Sequence, residues 1–206
     1  MSSEKYVLVL GVDASGKSTF LKGLKNTLGF SVLEPTSSPE AKAFKAAHLD
    51  ESLDLDLINE RQRLFNDLNV SFDQKIAEER ERSKVAATGS SLVTNLSHAV
   101  MRRVIREDSP SNLQVINEWE DSDSLRPDQV VLMHAPIDVI RRRIVHRQRT
   151  GVVGEKLIGF NSLYFLQHYQ EALEETVTAI SSDYSTASFD SSVSFPKSIL
   201  DSYTKL

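Results

Sequence analysis

YVLVLGVDASGKSTFLKGLKNTLG, residues 6–29, joins a short apolar run to a glycine-rich turn and then to a helical pattern. Tyr6–Leu10 has no polar alternation, which fits a strand buried on both faces of a parallel sheet. After the turn, Phe20, Leu21, Leu24 and Leu28 recur on one helical face, and Gly29 stands where a helix ends. Between strand and helix, Gly11, Gly16, Lys17 and Ser18 meet the spacing G-x-x-x-x-G-K-[ST]. Glycines let the backbone close round phosphates, with N–H groups converging at a helix N-terminus. Gly11, Val12, Asp13, Ala14, Ser15, Gly16, Lys17, Ser18 and Thr19 are therefore expected to cradle the triphosphate of ATP. Lys17 is expected to neutralise charge on the β- and γ-phosphates, and Ser18 to hold Mg²⁺ through its hydroxyl.

Outward from this loop, further strands are expected near Ser31–Glu34, Ser90–Thr94, Gln129–Met133 and Thr186–Phe189. A long helix is expected over residues 54–82, with Leu57, Leu64, Phe65, Leu68, Phe72 and Ile76 near i, i+4 spacing. Its end, AEERERSK, reads as a solvated charged face. Pro136 fits the first turn of another helix, and residues 160–180 form an amphipathic one. Strands alternating with helices, without repeat or linker, imply one α/β domain over residues 1–206, with a parallel sheet covered on both faces.

The rest of the composition narrows the setting. No cysteine occurs, so disulfides and cysteine-bound zinc are excluded and a reducing cytoplasm is the expected location. Neither a cleavable leader nor a run of about 20 apolar residues is seen, so no membrane partner is expected. The net charge of −5 argues against a nucleic-acid coat but leaves room for a local basic site.

GVDASGKST, with an acidic residue third in the motif, resembles the loop of the thymidylate kinase and deoxynucleoside kinase group. Glu34-Pro35-Thr36 is similar to that group's Glu-Pro turn, and LRPDQVVLMHAP (125–136) to its Arg-Pro-Asp approach to the fourth strand. Arg141–Arg149 followed by Phe160–Tyr169 resembles the arginine-bearing lid, here about residues 141–158, and the helix after it. The resemblance implies five parallel strands, a lid closing over ATP, and Asp13 reaching toward the acceptor. It also suggests a homodimer.

Three arginines that hold the 5′-phosphate and base of dTMP in thymidylate kinases are missing. The matching positions read Leu33, Asn69 and Asn95-Leu96-Ser97. Apolar leucine cannot replace a bidentate arginine–phosphate contact. The acceptor is thus expected to be a hydroxyl without a free 5′-monophosphate beside it. The first expectation is 5-hydroxymethyluracil in DNA, as phosphorylated by thymidylate-kinase-like enzymes of viruses that hypermodify thymine; host cytoplasm would then be the setting. The alternatives are a deoxynucleoside or dTMP, and, outside enzymes, a nucleotide-binding regulatory protein.

A base in duplex must be extruded before its hydroxymethyl group enters a pocket. Backbone contacts would come from Met101–Arg106 or from RRRIVHRQR (141–149), each also readable without DNA, as a solvated face or as lid arginines over ATP. Glu34 is the candidate general base, its bland reading an ordinary turn carboxylate. Asp13, Glu34, Phe72 and Asn95 are candidate acceptor contacts; Phe72 and Trp119 could stack on a base, but core packing is the favoured use of both. Arg141 and Arg147 best fit a clamp on the transferring phosphoryl, with the choice among the five lid arginines left open. His134 and His146 lack metal-ligand spacing and read as structural.

Overall fold

The computed structural model describes residues 5–34, 39, 55–83, 85–89, 117, 120–121, 125–150, 163–193 and 201. Its elements run β1 (Lys5–Leu10), α1 (Lys17–Leu28), β2 (Ser31–Leu33), α2 (Leu55–Ser83), β3 (Val85–Thr88), β4 (Gln129–His134), α3 (Ile137–Arg149), α4 (Leu163–Ile180) and β5 (Ser185–Asp190). The five strands form one parallel sheet in the order β2-β3-β1-β4-β5. With β1 at the centre, Val9 stands opposite Val131 of β4, and Val7 opposite Ala87 of β3.

The apolar run of β1 divides by its period of two. Val7 and Val9 join Val131 and Met133 against Phe20, Leu21 and Leu24 of α1. Tyr6, Leu8 and Leu10 join Val130 and Leu132 on the other face. There α2 contributes Phe72 and Ile76, α3 Ile140 and Ile144, and α4 Leu166, Leu173, Val177 and Ile180. Two cores thus sandwich the sheet, which is why no polar residue interrupts YVLVL. Each of these large side chains contributes about 1.5–3 kcal/mol by leaving water.

Several expected boundaries move. The third strand lies at Val85–Thr88, five residues before the expected Ser90 start, whereas residues 90–94 fall outside the described set. Ala86 and Ala87 are weak strand formers in isolation. Between β1 and β2, with helices over both faces, they are fully buried, so tertiary packing overrides propensity. The end of α2 is not wholly solvated either. Ser31 Oγ donates to Glu79 Oε1 at 2.6 Å, and Arg80 Nη2 reaches Asp128 at 3.1 Å. The arginine-rich segment beyond Pro136 is continuous helix through Arg149, and residues 151–158 lie outside the described set.

The Arg-Pro-Asp stretch has a local task. Asp128 Oδ2 accepts from the Tyr6 N–H at 2.6 Å, and Tyr6 O accepts from the Asp128 N–H at 2.9 Å. This exchange, with the Arg80 contact, fixes the start of β4 against β1. Deeper in, Asp73 Oδ2 accepts the Leu125 N–H at 2.9 Å. Burial, followed by the Asp73 charge, pushes the Tyr6 hydroxyl far above its ordinary pKa, so it stays protonated.

Candidate active site

All five strands point their carboxyl ends to one edge, where ligands of open α/β sheets bind. The glycine-rich loop follows β1 there. Three positive φ values within six residues shape it: Gly11 at 144°, Ala14 at 60° and Gly16 at 105°. Glycine at 11 is obligatory for a second reason. A Cβ there would stand 2.3 Å from the Met133 carbonyl oxygen and 2.5 Å from Ser15 Oγ. The turn closes with Ser15 N–H donating to Val12 O at 3.2 Å, and α1 begins with Thr19 and Phe20 N–H donating to Gly16 O.

Gly16 supplies no side-chain cap to α1 and no acidic residue occupies the first turn. The free N–H groups and the positive end of the helix dipole are therefore left for an anion. Lys17 Nζ donates to the carbonyls of Gly11 and Val12, the latter at 2.9 Å, which folds its cation over the loop. Asp13, Ser18 and Thr19 are exposed, whereas Val12, Ala14 and Ser15 are buried. Among the described residues no group of three acidic, histidine or cysteine side chains forms a metal site. The donor set still fits Mg²⁺ carried in with a triphosphate: the exposed Ser18 hydroxyl, phosphate oxygens and retained waters.

From the opposite side of the loop comes Arg143 of α3. Its Nη1 donates to Ala14 O at 3.0 Å and to Ser191 Oγ at 2.8 Å, and its Nη2 to Ser191 O at 2.7 Å. Burial and the neighbouring Arg147 depress its pKa, against the opposing pull of Asp190, without removing its charge. Burial would raise the pKa of Asp190. The Ser192 hydroxyl and N–H, the latter at 2.7 Å, outweigh it with His134 and Arg143 and hold the carboxyl below its usual range.

The expected site residues separate into groups. The loop, Lys17, Ser18 and Asp13 stand together at the end of β1, and Glu34 is exposed just past the end of β2 on the same edge. Arg147 lies one turn beyond Arg143 on the same face of α3. Arg141, two residues from Arg143, is turned about 160° round the helix and is exposed. Arg141 and Arg147 therefore lie on different faces of α3, and the arginine bonded to the loop backbone is Arg143.

Phe72 is a correction. It is 4% exposed inside the core with Tyr6, Leu8 and Leu10, so its ring faces no acceptor. Asn95, Asn69's side chain, Trp119 and residues 101–106 lie outside the described set. The actual end of β3 reads Thr88-Gly89, not Asn95, and still offers no arginine. Sequence reading left Arg143 among five candidate lid arginines and missed Asp190 and Ser191. The signal for Arg143 was present: Ile140 and Ile144 mark the buried stripe of α3, and Arg143 and Arg147 flank it.

A phosphate loop after the central strand of a five-stranded parallel sheet, with an arginine helix docked on it, is the P-loop nucleoside-kinase fold. No family model and no curated protein matches the sequence. Solved structures do. Deoxyadenosine kinase from M. mycoides with products dCMP and a flexible dCDP superposes at TM-score 0.67 and 13% identity, covering 98% of this chain and 100% of that one. The same enzyme with bound dATP gives 0.65 at 13% identity over 97% and 98%, and with bound dCTP 0.60 at 10% over 98% and 100%. At such identities the likeness is one of fold. Among the described residues no helix is long and apolar enough to cross a membrane.

Proposed function

We propose that the protein is an ATP-dependent kinase that phosphorylates a hydroxyl of a deoxynucleoside-class acceptor. The observation that carries this is the pairing at one sheet edge of a complete phosphate loop with Glu34. Beside Glu34, Leu33 packs against the core where a 5′-phosphate clamp would need an arginine, and neither Asn69 nor Asn95-Leu96-Ser97 supplies another. A deoxyadenosine-kinase fold supports an acceptor of this size and class.

In this reading the loop N–H groups and Lys17 take the β- and γ-phosphates, and Asp13 orients the acceptor. Glu34 accepts the proton of the acceptor hydroxyl as its oxygen bonds to the γ-phosphorus; the bond from that phosphorus to the bridging oxygen breaks, and ADP leaves. Arg147, one turn beyond Arg143 on α3, would meet charge on the transferring group in this reading. Mg²⁺, held by Ser18, phosphates and waters, would neutralise the developing charge when bound.

A second reading is 5-hydroxymethyluracil in DNA, favoured by Arg141, Arg142 and Arg149, which are exposed on α3 away from the loop and could meet a phosphate backbone. Arg142 is partly committed to Asp138 at 2.9 Å. Transfer of radiolabelled γ-phosphate from ATP to deoxyadenosine, deoxycytidine, thymidine, dTMP and 5-hydroxymethyluracil DNA tests both. Label on a nucleoside supports the first reading, and label on the DNA alone the second. Label on dTMP overturns the argument from the missing arginines, and no transfer to any acceptor leaves a regulatory nucleotide-binding protein.

A further inference from the structure

We propose that Arg143 is a positioning residue: it holds the phosphate loop in its anion-receptive shape by tying the Ala14 carbonyl to the end of β5, and does not itself touch the nucleotide. The inference rests on the loop binding a triphosphate and goes beyond that reading by assigning a residue to the loop's shape. Ala14 is the observation that starts it. It is the single non-glycine residue with positive φ among the described residues, at 60°, a conformation that L-residues resist. A left-handed residue at this point lets successive N–H groups converge into a concave anion site. That shape has to be held from outside.

Arg143 does so with both ends of its fork. Nη1 is shared between Ala14 O at 3.0 Å and Ser191 Oγ at 2.8 Å, and Nη2 is given to Ser191 O at 2.7 Å. Ser191, itself 2% exposed, follows the last residue of β5, and its N–H donates to His134 O of β4 at 2.9 Å, so the anchor is tied to the sheet. A charge-assisted planar fork with both terminal nitrogens committed to protein oxygens is ill placed to reach a phosphate. Asp190 beside it compensates the guanidinium. Arg143 thus shapes the loop and makes no contact with the transferring group.

The test compares Arg143→Met, Arg143→Lys and Ser191→Ala with the unaltered chain. It measures kcat, KM for ATP, and the Kd of inorganic tripolyphosphate by calorimetry. Loss of a hydrogen-bonded charge predicts that Arg143→Met raises KM and the tripolyphosphate Kd together by about tenfold. Arg143→Lys, which keeps charge but not the fork, should lose nearly as much. Ser191→Ala, which keeps the backbone acceptor, should lose about threefold. In all three, kcat at saturating ATP should stay within about threefold of the parent, because no reacting group is removed.

A hundredfold fall in kcat with unchanged tripolyphosphate affinity would place Arg143 on the phosphoryl group and overturn the proposal. Weaker ATP with unchanged tripolyphosphate would place it on the nucleoside, and unchanged constants throughout would leave it without the role; both also overturn it. If Arg143→Met does not fold, Arg143→Lys and Ser191→Ala carry the same comparison. Failure of the unaltered chain to bind either ATP or tripolyphosphate would instead overturn the kinase reading beneath the proposal.

Discussion

Replacing Gly11 by alanine tests the link between the sheet and the phosphate loop. The added Cβ would lie 2.3 Å from Met133 O, 2.5 Å from Ser15 Oγ and 3.3 Å from Met133 C, at a φ of 144°. Ser15 Oγ can rotate away. The Met133 carbonyl cannot, because it belongs to β4 in the middle of the sheet. Overpacking of this kind costs about 1–3 kcal/mol and the backbone strain about 1–2, together about 2–5 kcal/mol.

That is a large share of a domain stability of about 5–15 kcal/mol. In urea, with a slope of about 2–3 kcal/mol per molar, the midpoint should fall by about 1–2 M. Gly29→Ala is the internal control. Its φ is 73°, but nothing lies within 4 Å of the new Cβ, so it carries the strain without the collision and should cost about 1 kcal/mol. If Gly11→Ala proves no worse than Gly29→Ala in equilibrium urea unfolding, the loop is not seated on Met133 as described.

Further outcomes follow from other residues. Lys17→Met should lower kcat/KM for ATP by about 10²–10³-fold, as removal of a charge-stabilising donor does; steady-state kinetics reads it against a urea midpoint that stays close to the parent. Glu34→Gln should cut turnover with little change in ATP binding, and unchanged turnover would refute the general-base role. Phe72→Ala should destabilise by about 3–5 kcal/mol while KM for the acceptor stays the same, as befits a core ring.

Acid should weaken the fold through Asp190 and Glu79. Both carboxyls sit below their ordinary values, Glu79 chiefly through the Ser31 and Ser83 hydroxyls and Arg82. Groups with depressed folded pKa values contribute stability above the ordinary carboxylate range. That contribution is lost as pH falls below about 4 and through the folded values. Glu79→Gln should accordingly flatten the acid limb of a stability–pH curve, and an unchanged limb would contradict the assignment.

Legibility differed from one element to the next. β1 and α1 could be read directly because burial on both faces leaves an unbroken apolar run and burial on one face a 3.6-residue stripe. The phosphate loop was equally plain, since its glycines answer local backbone geometry: Gly11 and Gly16 both have positive φ. β3 was misplaced because Ala86 and Ala87 carry no strand preference of their own; their pairing with Tyr6 and Val7 makes them one. Phe72 was ambiguous for a similar reason. A helical stripe states that a side is apolar, not what it meets.

Local chemistry in the chain thus determined the glycine-rich loop between β1 and α1, the α/β class and the apolar Leu33 beside Glu34. The tertiary structure alone decided which arginine meets the loop. Arg141, Arg143 and Arg147 are alike in charge and neighbours, and only the docking of Ile140 and Ile144 into the core turns Arg143 onto Ala14 and Ser191. Contacts across 129 and 48 residues of sequence, as these are, leave no mark in local spacing, because the chain is brought together there by burial elsewhere.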